Sequence, residues 1–163
     1  MTSLIAEVPY GDLLGAQDPL AVLASTPGQI EVLTRGWDLR RWCRTSSLAK
    51  WNASQLVLHL VQDEIGWGSR VRLALTQDGY VAQPYDGEAW VALESRGLPE
   101  TARSAFGALR RLNLTLYEGL TVEQRGRLFG HPLLGDISID WIIHRAAGHD
   151  LHHLVHLRAI ADQ

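Results

Sequence analysis

The stretch GHDLHHLVHLRAI, residues 148–160, holds His149, His152, His153 and His156, more than half of the seven histidines in the chain. Imidazole titrates near neutral pH and, when neutral, offers a lone pair to a metal ion. On a helix turning about 100° per residue, His149 and His153 lie about 40° apart on one face. Ile142, Ala146, Leu157 and Ile160 fall within about 80° of His149 on that side, so the pair points into an apolar core. His156 sits beside His149 on this face, and His152 lies about 60° round on its margin, where a polar side chain is expected to be a surface residue. Two imidazoles placed among aliphatic groups are costly unless their nitrogens find partners. A histidine pair four residues apart is a standard way of presenting two ligands to one metal ion.

A third inward histidine completes the pattern. His59 stands in LVLHLVQDE, flanked by Leu58 and Leu60. Three histidines with an open position is the composition of a catalytic metal site, not of a closed structural one. Such a set accepts several first-row ions, so the residues leave the metal unspecified. Asp63, four residues after His59, shares its face and is the candidate for an acid/base role or for supporting a ligand histidine, whereas Glu64 is rotated by about 140° and is expected to serve packing or helix contacts. Asp150, adjacent to His149, is expected to cap or orient neighbouring groups. His131, in a Gly/Pro-rich loop, and His144, about 140° from His149, are left outside the ligand set. The aromatic residues Trp51, Trp67, Trp90, Trp141, Tyr80 and Tyr85 read as core and loop anchors, with Tyr85 and Trp90 available to a pocket mouth.

Four long segments with helical periodicity must position these groups. The first runs from about Pro19 to Trp37, with Pro27 expected to kink or restart it. The second opens on Asn52, with Gln55 completing a capping box, and runs to about Thr76. The third begins at Pro99 and exits at Gly119, followed by a short helix with a Thr121/Gln124 capping box. FGHPLLGDISIDW reads as a loop, and Ser138 or Asp136 caps a last helix that reaches about Ala161. Between the second and third segments lies an irregular crossover with one short helix around Glu88 to Glu94. No repeat or linker divides the chain, so residues 1–163 read as one all-α domain, a four-helix bundle.

Composition bounds the rest. The chain has 163 residues, 46% hydrophobic and 20% charged, with a net charge of −3 and Lys50 as its only lysine. That argues against nucleic acid, which needs a clustered basic surface. No run is apolar and long enough to cross a membrane. The start shows no signal-peptide pattern, so the cytoplasm is the expected location. Cys43, beside Trp42, is expected to be a small buried hydrophobe.

With these residues in place, KWNASQLVLHLVQDEIGWGSRVRL and GHDLHHLVHLRAI resemble the second and last helices of the DinB-like (DinB/YfiT) superfamily. DPLAVLASTPGQIEVL and FGHPLLGDISIDWIIHRAAGHD resemble it too, so the likeness covers about Asp18 to Ile160. The resemblance implies a four-helix bundle with a long crossover, metal ligands at His59, His149 and His153, and a divalent ion, with zinc or nickel expected ahead of iron or manganese. It further implies a small-molecule substrate, a homodimer, and chemistry like that of transferases and isomerases using bacillithiol or mycothiol. Where the family commonly has Gln, this chain has His156, expected to act in the pocket rather than as a ligand. The expected function is a thiol-dependent S-transferase. The rivals are a metal-dependent hydrolase and a non-catalytic metal- or ligand-binding stress protein.

Overall fold

The computed structural model describes residues 7–48, 50–94 and 99–163. Its helices are α1 (Gly11–Leu14), α2 (Pro19–Leu33), α3 (Leu39–Trp42), α4 (Ala53–Thr76), α5 (Gly87–Glu94), α6 (Pro99–Glu118), α7 (Val122–Gly126) and α8 (Ile139–Ala161), with strands β1 (Leu128–His131) and β2 (Gly135–Ser138). The four long helices form the bundle: α4 and α2 each pack against both α6 and α8. The expected all-α four-helix architecture is therefore the one found, and α5 lies within the crossover between α4 and α6.

Local chemistry fixes the helix ends as the caps foretell. Asn52 accepts from the Gln55 N–H while the Gln55 side chain accepts from the Asn52 N–H, closing the capping box of α4. Thr121 and Gln124 do the same for α7, and the Ser138 hydroxyl accepts from the Trp141 N–H at the start of α8. Asp18 caps α2, which begins on Pro19.

Pro27 departs from expectation, because α2 runs through it without restarting. A proline leaves the carbonyl four residues earlier without its N–H donor. Here that carbonyl, Leu23 O, accepts from Arg110 Nη1 at 3.0 Å. A guanidinium from α6 thus replaces the missing helix bond.

The expected loop after α7 is instead an antiparallel hairpin, with Phe129 paired to Ile137 and His131 to Gly135. Each strand has four residues, too few to display alternation, yet Phe129 and Ile137 are both buried in the core. Gly135, at φ 75°, supplies the left-handed turn residue. The Ala82 N–H donates to Gly130 O at 2.8 Å and the Gly130 N–H to Tyr80 O at 3.0 Å, so the hairpin holds the crossover in place. Cys43 is exposed, contrary to expectation. It is the C-cap of the one-turn helix α3, whose inward direction is taken by the buried Trp42. Among the described residues no helix is long and apolar enough to cross a membrane.

Candidate functional site

Two ladders of side chains spaced four residues apart face each other across the bundle. Helix α4 contributes His59, Asp63 and Trp67, and α8 contributes Trp141, Arg145, His149 and His153. Four residues is little more than one helical turn, so each ladder keeps to one face. His59, Asp63, His149 and His153 are all buried, with no more than 9% exposure.

The three imidazoles converge through one atom type. His149 Nε2 lies 3.1 Å from His59 Nε2 and 2.9 Å from His153 Nε2. A neutral imidazole carries one N–H and one lone pair, so with each proton on Nδ1 the three Nε2 lone pairs face a common point, an arrangement that a cation satisfies and a hydrogen bond does not. Ligands about 2.0–2.1 Å from a tetrahedral ion are separated by about 3.3 Å, close to the spacing found. The three histidines could therefore hold a metal ion. Their Nδ1 atoms have no hydrogen-bond partner. Ring packing orients them instead, with Trp51 4.6 Å from His59 and Trp67 edge-on to His149 at 5.2 Å.

Asp63 stands beside the donor atoms. Its Oδ2 is 3.4 Å from both His59 Nε2 and His149 Nδ1, within Coulombic reach but outside hydrogen-bonding geometry at His149. Its Oδ1 accepts from the Tyr85 hydroxyl at 2.5 Å. Burial pushes the Asp63 carboxyl up to about 7, against the opposing effects of the Tyr85 bond and the Arg145 charge. Burial, assisted by Arg145, lowers His59 to about 4. Burial, assisted by neighbouring imidazoles, lowers His153 to about 2 and His149 well below its ordinary value. All three imidazoles are thereby kept neutral, the form that binds metal.

These groups line a cleft of about 550 Å³, together with Tyr10, Tyr85, His131, His152 and His156. His156 is buried and packs 4.4 Å from His152, and its Nδ1 has no partner. His152 corrects the surface expectation: it is half-buried, stacked on Tyr10 at 4.6 Å, and faces the cleft. His152, His153 and His156 form a second cluster of potential ligands that shares His153 with the first. His144 lies apart, its Nδ1 2.9 Å from Asp140 O.

Behind the ladders runs a buried ionic network. Arg110 donates to Glu64 Oε1 through Nε at 3.0 Å and Nη2 at 2.7 Å, and to both Asp150 oxygens at 2.5 and 3.0 Å. Asn113 donates to Glu64 Oε2 at 2.9 Å. Glu64 follows Asp63 and Asp150 follows His149, so the network fixes α4 and α8 immediately behind the site. Glu64 thus makes the helix contacts expected of it, and Asp150 orients Arg110. Arg110 was not singled out by sequence, although Phe106, Arg110, Asn113 and Tyr117 recur at core spacing on α6 and are all buried. Two polar residues in that series were the available signal.

Comparisons with known proteins agree with this geometry. The DinB superfamily pattern matches residues 23–157. A relative from Oceanobacillus iheyensis, named "Putative metal-dependent hydrolase", is 33% identical over 111 residues, which are 68% of this chain and 64% of the relative. The match thus spans slightly less than two thirds of that relative's length. A relative of the same description from Halalkalibacterium halodurans is 27% identical over 83% of this chain and 80% of its own. Among solved structures, YfiT from Bacillus subtilis, described as "a probable metal-dependent hydrolase with an unusual four-helix bundle topology", superposes with a TM-score of 0.82 at 23% identity, covering 88% of this chain and 84% of YfiT. The mycothiol-dependent maleylpyruvate isomerase superposes with a TM-score of 0.71 at 13% identity, covering 90% of this chain and 62% of the isomerase. The chain belongs to the DinB superfamily.

Proposed function

We propose that the chain is a metal-dependent S-transferase that joins a low-molecular-weight thiol of the bacillithiol or mycothiol type to an electrophilic small molecule. The observation that carries this reading is the convergence of three neutral imidazole nitrogens and one carboxylate on a cleft of about 550 Å³. Pockets of this size take organic ligands as well as water.

His59, His149 and His153 hold the ion, with zinc or nickel the best suited to three imidazole nitrogens. When bound, a divalent ion supplies a Lewis acid that lowers the proton affinity of a thiol or water placed on it. Asp63 receives the S–H proton, its Oδ1 held by Tyr85 and its Oδ2 turned toward the histidines. The sulfur forms a bond to the electrophilic carbon as the leaving group departs, and that proton passes to the leaving group. His156 lines the cleft beside His152 and His153 and contributes to the pocket that receives the cosubstrate. Trp51 and Trp67 exclude water from one wall.

Hydrolysis is the second reading, favoured by the names of the relatives. The same residues would then take the proton from water. Turnover of an electrophile by metal-replete protein, with and without bacillithiol or mycothiol, separates the two. Thiol-dependent turnover supports transfer, and turnover unchanged by thiol supports hydrolysis.

A further inference from the structure

Arg145 lies one turn before His149 on the same face of α8 and lines the cleft. Its guanidinium carbon lies over Trp67 at 5.8 Å and over Trp141 at 5.7 Å from the ring centroids. Cation–π contacts of this length hold a guanidinium in place. They hold the guanidinium without drawing on its N–H donors, which stay available to an acceptor. The side chain is half-buried, and among the described residues it makes no hydrogen bond or ion pair. Elsewhere in the fold a buried arginine is fully engaged, as Arg110 is by Glu64 and Asp150.

The cleft around it is short of anions. Its cations are Lys50, Arg70 and Arg145, and its single carboxylate is Asp63. Lys50 is paired with Glu88 and Arg70 donates to Gln83 O at 2.8 Å, whereas none of the Arg145 donors is engaged among the described residues. The charge of Arg145 is felt at His59, Asp63 and His149, which places it in the same field as the imidazole cluster. The chain as a whole carries −3, so this cavity is positive against the sign of the molecule.

We propose that the cleft is built for a carboxylate-bearing reactant, whose carboxylate is gripped edge-on by Arg145 while its reacting atom sits at His59, His149 and His153. Four helical residues rise about 6 Å, so the carboxylate and the reacting atom are joined by a short spacer. A planar carboxylate matches the free edge of the guanidinium in a bidentate way that a neutral amide does not. This deepens the reading above and rests on it for the position of the reacting atom.

The test uses cobalt-loaded protein and two probes, 3-mercaptopropionate and its neutral amide, 3-mercaptopropionamide. Affinity is read by calorimetry and thiolate–cobalt contact by absorption. The expected result is about tenfold tighter binding of the carboxylate, as one charge-assisted hydrogen-bonded pair supplies. In Arg145→Met the preference falls to near onefold while both thiols still give the cobalt band, and Arg145→Lys keeps part of it. Equal binding of the two probes by the wild type, or a preference that survives in Arg145→Met, overturns the proposal whether or not the band appears. A preference that depends on Arg145 with no cobalt band from either thiol upholds the carboxylate grip and counts against the metal reading instead.

Discussion

The Tyr85 hydroxyl donates to Asp63 Oδ1 at 2.5 Å, joining the crossover to the helix that carries His59. Tyr85 in turn stacks on Trp90 at 4.5 Å and carries Arg70 over its ring. The bond favours the charged carboxylate, so it holds Asp63 lower than burial alone would. Tyr85→Phe removes it. The ionisation of Asp63 in the kcat/KM pH profile then moves to higher pH by about one to two units, since a hydrogen bond to a charged group contributes about 1.5–3 kcal/mol. The rate near pH 7 falls because less of the base is ionised.

Arg110 is 1% exposed and holds Glu64, Asp150 and Leu23 O. Arg110→Met leaves two buried carboxylates without a cation and the carbonyl freed by Pro27 without a donor. Breaking a buried ion pair from one side costs about 3–5 kcal/mol. Urea unfolding of the variant is expected to show a loss of that size, with metal occupancy retained in the fraction that folds.

Gly148 lets the N-terminal segment touch α8, since a Cβ there would stand 2.6 Å from Tyr10 O. That atom is backbone and cannot rotate away. Gly148→Ala therefore displaces the segment that stacks Tyr10 on His152. A loss of about 1–3 kcal/mol is expected, as for other overpacked positions, measurable by chemical denaturation.

The metal-free chain should lose stability in acid. Burial lowers His59 to about 4 and His153 to about 2, against about 6.5 in an unfolded chain. Between those limits the unfolded chain binds more protons, so the contribution is complete above about pH 6.5 and is lost as pH falls, toward about 4 for His59 and about 2 for His153. Asp63, raised to about 7, acts oppositely. Its contribution is complete below about pH 4 and is lost as pH rises toward 7. Three lowered imidazoles outweigh one raised carboxyl, so unfolding free energy falls by roughly a few kcal/mol from pH 7 to 4.5. Asp63→Asn removes the opposing group, and its decline over the same range is steeper.

Much of this arrangement was legible in the sequence because it follows from helical spacing. His59 and Asp63, and His149 and His153, are each four residues apart, and the caps at Asn52, Thr121 and Ser138 mark where their flanking helices begin. The hairpin was hidden because strands of four residues give no period to read. Pro27 misled because the donor that repairs its helix comes from Arg110, far along the chain and on another helix. His152, at the margin of its helix face, reads as a surface residue from its type and place, and Tyr10, from an unrelated segment, covers it. The grip of Tyr85 on Asp63 and the two indoles around Arg145 depend on how the crossover and the helices pack, which local spacing does not encode.

The central claim is that His59, His149 and His153 together hold one ion. It is tested most directly by metal analysis of protein purified without added metal, comparing the wild type with His59→Ala. The account predicts about one divalent ion per wild-type chain and a nearly complete loss in the variant. Full occupancy in His59→Ala would contradict it.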